Sequence, residues 1–313
     1  MTEKKFYITP APHVYSKEST PRIMKDVIIA LIPAIFASIY FFRFKAVVLL
    51  LVSVASCVAF EAIIQILAKR KLTITDLSAV VTGILFAMNM PPSLPIWACI
   101  LGCLVAIGLA KQLFGGLGNN IFNPVLLGRA FLAAAFPTFM TRWSMPVTLD
   151  AVTQATPLGM VKFSHNLSMD YRGLFVGGVS GSVGETSALA LIIGGIYLLI
   201  RKAIDWRVPM AYMGTVFAIG FITNMVFPGT YAGGLFHILA GGLLIGAIFM
   251  ATDPVTSPVT KAGRWIFGIG CGLITMVIRL WGGLPEGVMY SILLMNALTP
   301  ILNRTTRPRR YGT

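Results

Sequence analysis

The stretch GILFAMNMPP, residues 83–92, has a counterpart in GAIFMATDPV, residues 246–255. Each begins at a Gly, runs through apolar residues, turns polar near its end and stops at a Pro. A bilayer crossing takes about 20 residues at 1.5 Å rise. An apolar run of about 15 residues bounded by Pro, Gly or Asn therefore reads as a broken or tilted helix beside a midplane cavity. The pairing recurs on either side: LFGGL (113–117) answers LWGGL (280–284), and ALIPAIF (30–36) answers ALIIGGI (190–196). The offsets are 163, 167 and 160 residues, in the same order in both halves, so one duplication with small insertions covers all three. Ten apolar segments follow, near 27–42, 46–68, 76–90, 95–113, 124–137, 186–200, 209–227, 233–250, 263–281 and 286–302. Five per half is odd, so consecutive copies must insert in opposite senses. The expected fold is an all-α polytopic membrane protein of two inverted five-helix repeats, some helices broken. The expected organisation is an N-terminal tail over 1–25, a first repeat over 26–137, a loop over 138–185, a second repeat over 186–303 and a basic tail over 304–313.

Composition sets the same frame. The chain has 313 residues, 56% hydrophobic and 12% charged, with a mean hydropathy of +0.81. The net charge of +14 comes from basic residues clustered between apolar runs, so it points to helix orientation and not to nucleic acid. If the N-terminus is cytoplasmic, 18 of the 25 Lys and Arg fall inside and six outside, with Arg129 left within the fifth segment. That places both termini in the cytoplasm of a cell-membrane protein and the 138–185 loop on the outer face. The polar first 25 residues predict that no cleavable signal peptide precedes the first helix. Cys57, Cys99, Cys103 and Cys271 all lie in apolar segments, where free Cys acts as a small hydrophobe. His13, His165 and His237 are too scattered for a metal site.

The outer loop carries LDAVTQATPLGM, residues 149–160. Pro157 biases Thr156 towards an extended backbone, and Thr-Pro also fits a helix start with Thr156 as N-cap and Pro157 at the first helical position. A helix N-terminus favours a phosphate; a plain capped turn is the alternative reading of these residues. The order Asp150, Thr153, Ala155, Thr156 is similar to the signal at which a flavin transferase esterifies FMN phosphate to a Thr hydroxyl. Around it, KQLFGGLGNNIFNP (111–124), TQATPL (153–158), TDPVTSP (252–258) and LWGGLPEGVMYSILLMNALTPIL (280–302) resemble the NqrB/RnfD family, nearest its Rnf-complex branch. The resemblance covers nearly the whole chain.

It implies a membrane subunit of a ferredoxin:NAD oxidoreductase that couples electron transfer to Na+ or H+ movement, with FMN covalently held on Thr156. The partners it implies are the other Rnf subunits, including a second FMN-bearing one, and the flavin transferase. Some members of the family also hold a non-covalent flavin, often riboflavin, nearer the cytoplasmic side, for which the sequence assigns no residues. No complete active site is expected in this chain alone. A urea-type channel or secondary transporter is the alternative for an inverted repeat of ten helices, and the Thr156 signal discriminates against it.

Ionisable groups within apolar segments are costly and default to functional candidates. Glu61 lies deep in the second segment; it is an ion-pathway candidate, or a packed carboxyl bonded to Ser53, Ser56 or Gln65. Asp253 is the second ion-pathway candidate, or a cap with Pro254 at the first helical position. Glu185 and Glu286 read as caps of the helices that follow them. Asn119, Asn120 and Asn123 sit at a break, where they either line a flavin or ion pocket or satisfy unwound backbone. Arg129 needs a partner that the sequence does not name.

Overall fold

A computed structural model of the chain describes residues 19–144, 155–164 and 170–307. Among these residues the fold is all-helical, with no β-strand. Thr20–Leu67 is broken at Arg43, whose φ of 50° and ψ of −131° turn the chain back on itself. Thr20 and Pro21 consequently line one cavity with Gln65, Arg70 and Thr73. This hairpin supplies segments 1 (20–42) and 2 (44–67). Segments 3 to 5 are Ser78–Met88, Ile96–Gln112 and Pro124–Ala135. Segments 6 to 10 are Ala188–Ile200, Arg207–Val226, 234–250, Lys261–Leu280 and Val288–Thr305.

Side-chain pairings sort the ends of the ten segments onto two faces. On the N-terminal face, Arg264 bonds Asp205, the Val259 amide donates to Asn303 Oδ1, and Ser78, Lys111, Asn123, Ile204 and Asp253 surround one cavity. On the opposite face, Trp97 packs edge-on against Phe136 and Phe139, and Thr156, Glu185, Gly241 and Glu286 share another cavity. Segment 1 starts on the N-terminal face and segment 6 on the opposite one, with strict alternation between. The two sets of five therefore run in opposite senses, as the repeat pattern requires.

Three helices, Thr20–Leu67, Arg207–Val226 and Lys261–Leu280, are long and apolar enough to cross a membrane, and four shorter apolar helices accompany them. The exposed side chains on these helices are large and apolar, among them Phe36, Leu51, Ile193, Phe221 and Leu273. Lipid takes the place of water there. The protein is a multi-pass membrane protein.

The two matching stretches end alike. Asn89 Nδ2 donates to the Leu85 carbonyl and Thr252 Oγ1 to the Ile248 carbonyl, each four residues back and each at the same repeat position. The carbonyls freed by each break find partners elsewhere: Gly184 N and Val183 N bond Met88 O and Met90 O, and Asn123 Nδ2 bonds Met250 O. Apolar surroundings make an unpaired carbonyl expensive, so outside donors close the first break and, at the second, Asn123 adds to the local bond from Asp253 N to Met250 O. Segment 8 breaks again at 240–242, where Gly241 has a φ of 73°. Segments 4 and 8 both finish in π-helix, Val105–Gln112 and Gly246–Met250. The repeat is not perfect. Gly115 and Gly116 of LFGGL have φ values of 112° and 97°, whereas Gly282 and Gly283 of LWGGL do not enter the left-handed region.

Candidate functional site

Two polar clusters lie where broken helices meet. The first surrounds Glu61, whose side chain is fully buried. Lys111 Nζ lies 2.8 Å from both Glu61 oxygens and donates to Ser78 Oγ at 2.6 Å. Gln65 Nε2 and Gln112 Nε2 complete the Glu61 shell at 3.2 and 3.0 Å. Of the three packing partners expected for Glu61, Gln65 is present; Ser53 instead bonds Gly83 O. Lys111, one of the 18 basic residues counted on the inner side, lies at that end of the fourth segment but is buried: its side chain is 1% exposed and its charge is spent on Glu61. Beside this cluster a cavity of about 80 Å³ is lined by Lys111, Ser78, Thr82, Asn120, Asn123 and Asp253 along a polar edge, and by Val27, Leu85, Leu198 and Phe249 on apolar walls. Asn123 is the N-cap of segment 5, accepting from Val125 N and Leu126 N. Asn120 is buried with Oδ1 unpartnered. Asn119 is exposed and does not line this cavity. Asp253 accepts from Val255 N and Thr256 Oγ1, which closes a turn and does not cap a helix.

The second cluster lies towards the opposite face. Thr156 precedes the helix Pro157–Ser164, and its Oγ1 accepts from Gly159 N at 3.1 Å. Thr156 is thus the N-cap with Pro157 at the first helical position, as its sequence suggests. It is half-buried, Ala155 is exposed, and Asp150 and Thr153 lie outside the described residues. A small cavity joins Thr156 to Trp143, Leu174, Glu185, Gly241 and Glu286. Neither acid is the cap that its position suggests. Ser187 caps segment 6, leaving Glu185 to turn inward, where Oε2 accepts from Ser182 N. Glu286 Oε1 accepts from Gly242 N and Oε2 from Arg129 Nη2 at 2.9 Å. Arg129 also donates to Asn89 Oδ1, and Arg279 donates to the His237 and Ala240 carbonyls at the end of Gly234–Leu239. Guanidinium groups there complement the negative end of a helix. Gly242 has no room for a side chain, since a Cβ would lie 2.6 Å from Glu286 Oε1 and 3.0 Å from Glu185 Oε1.

Chemically, this second cluster offers a hydroxyl at a helix N-terminus, an aromatic wall, two guanidinium groups and two carboxyl groups. Those features fit a phosphoester-linked aromatic cofactor: the phosphate meets a positive helix end, and cationic groups stand nearby. Among the described residues, no group of His, Cys, Asp and Glu could hold a metal ion.

Residues 7–312 match the model of the NQR2, RnfD, RnfE family. The D subunit of the Na(+)-translocating ferredoxin:NAD(+) oxidoreductase complex of Acetobacterium woodii is 46% identical over 100% of this chain and 97% of its own length. The D subunit of the proton-translocating ferredoxin:NAD(+) oxidoreductase complex of Clostridium ljungdahlii is 43% identical, over 98% of this chain and 96% of its own. The D subunit of the ion-translocating oxidoreductase complex of Stutzerimonas stutzeri is 41% identical, over 95% and 93%.

Proposed function

The chain belongs to the NQR2, RnfD, RnfE family, and from that premise we propose that it is the D subunit of an ion-translocating ferredoxin:NAD oxidoreductase, carrying FMN as a phosphoester on Thr156. The observation that carries this reading is the Thr156 hydroxyl, capping a helix at the rim of a charged cavity within the Asp150, Thr153, Ala155, Thr156 signal. A channel or secondary carrier has no use for that signal. Bound FMN supplies electron carriage; the protein's residues hold it, bias its potential and confine its reactions. Thr156 provides the ester oxygen. The N-terminus of Pro157–Ser164 and the Arg129 and Arg279 guanidinium groups provide positive potential for the phosphate, and Trp143 provides an apolar wall.

The remaining roles follow from position. The N-terminal face is cytoplasmic and the 138–185 loop lies outside, in keeping with Lys69, Arg70, Lys71, Arg201, Lys202, Lys261 and Arg264 at the first face. A flavin transferase loads Thr156, and the other subunits, one of them a second FMN carrier, supply the iron–sulfur and NAD chemistry. The cavity along Asn120 and Asn123, at about 80 Å³, has room for a few waters or a hydrated ion along its polar edge and not for a whole flavin ring. Glu61 and Asp253 are the carboxylates from which a Na+ or H+ path on this side would be built. In-gel flavin fluorescence of the denatured chain tests the central assignment: a fluorescent band at the chain's mass in wild type, absent in Thr156→Val. A band that persists in the variant overturns it.

A further inference from the structure

Glu185 is the one carboxyl of the second cluster left incompletely bonded. Its side chain is 7% exposed, its Oε1 has no hydrogen-bond partner, and Arg129 Nη1 stands 3.9 Å away, at ion-pair range but beyond a hydrogen bond. The 3.4 Å bond from Ser182 N to Oε2 is long. Glu286, by contrast, is anchored on both oxygens. A buried carboxyl without full pairing is most stable with its proton on. Glu185 and Thr156 line the same cavity, and the missing side chain of Gly242 keeps the space beside Glu185 Oε1 open. The free volume of about 40 Å³ admits a water or the edge of a ring, not a whole ring.

We infer that Glu185 is the proton donor and acceptor for the cofactor carried on Thr156, meeting the ring edge directly or through one water. This rests on the Thr156 reading above. As an electron arrives from the iron–sulfur or flavin donors of the complex, the Glu185 O–H bond breaks and an N–H bond forms on the ring. The carboxylate left behind faces Arg129. On reoxidation the proton returns to Oε1. The cluster's charges suit the exchange. With Glu185 protonated, Arg129 and Arg279 outnumber Glu286, and ionisation of Glu185 brings the four groups to neutrality. Beyond these four groups, Tyr290 lies within electrostatic range of Arg129, and His237 within that of Arg279.

The test uses the full chain, flavinylated in cells and purified in lipid nanodiscs, with its flavin midpoint potential titrated against pH. Wild type is expected to change slope at the pH where Glu185 titrates. Glu185→Gln is expected to keep the covalent flavin and lose that break, and Glu185→Asp to shift it. Proton uptake by wild type on dithionite reduction in weakly buffered medium needs no variant: below the break the medium should lose fewer protons than above it. Identical pH profiles in wild type and Glu185→Gln, or equal uptake on both sides, overturn the proposal. A wild-type chain without covalent flavin overturns the Thr156 reading instead, so the two failures are distinguishable.

Discussion

Replacing Lys111 by Met removes the ammonium that lies 2.8 Å from both Glu61 oxygens and leaves the rest of the chain in place. Gln65 and Gln112 stay within bonding distance of Oε1, but they are neutral, and among the described residues Oε2 has no other bond from a side chain. Breaking a buried pair by removing one partner costs about 3–5 kcal/mol, because a charge remains buried without compensation. At about 1.4 kcal/mol per decade, the lower bound is roughly a hundredfold in the folding equilibrium. Glu61→Gln should cost a similar amount, because the amide oxygen can still accept from Lys111 but no longer compensates its buried charge. The double variant Glu61→Gln, Lys111→Met leaves no buried charge and should recover most of the loss. Contacting pairs of this kind couple by about 0.5–3 kcal/mol. Unfolding of the purified protein by SDS in mixed micelles measures all four species. Single variants within about 0.5 kcal/mol of wild type, or a double variant no better than the worse single, would refute the claim that the two charges compensate each other inside the fold.

Gly83→Val should yield little folded protein by detergent size exclusion, because a Cβ at Gly83 would sit 2.6 Å from Val54 Cα, and a backbone cannot move aside as a side chain can; overpacking of this kind costs about 1–3 kcal/mol or more. Asn123→Ala should lower SDS stability by about 0.5–2 kcal/mol through the lost cap, with faster amide exchange at Val125 and Leu126, whose N–H groups donate to Asn123 Oδ1. Asp205 lies between segments 6 and 7. Burial raises its pKa, but the Arg207 amide and the Arg264 and Arg207 guanidinium groups outweigh burial and hold it below the ordinary carboxylate value. Its stabilisation is therefore fully present above the unfolded-state pKa of about 3.9 and is lost as pH falls through the lower folded value. Acid titration of stability should show this loss in wild type, and Asp205→Asn should be weaker at neutral pH yet flatter on the acid side.

What could be read from the sequence was whatever is local or periodic. Segment count, the two stretches ending at NMPP and TDPV, and the Thr156 cap all depend on residues within a turn or two of each other. The fold keeps them: Asn89 and Thr252 bond the carbonyls four residues back, and Thr156 receives Gly159 N three residues on. Pairings across the fold were not legible. Glu286 lies 157 positions from Arg129 in the chain, so a rule built on neighbours assigns it to the helix it precedes, when its partners are Arg129 and Gly242. Glu185 fails in the same way, because Ser187 two residues later takes the cap. The pairing of Lys111 was not legible either, because the π-helical end of the fourth segment carries it to Glu61, 50 positions away. The available signal was that both lie in apolar surroundings with opposite charge, which is reason to test them as a pair.

Intact-mass and peptide mass spectrometry of the full chain, isolated from cells able to flavinylate it, tests the central assignment most directly. The expected chain is heavier by FMN less one water, with the added mass on the peptide containing Thr156. An unmodified Thr156 in that material would contradict it.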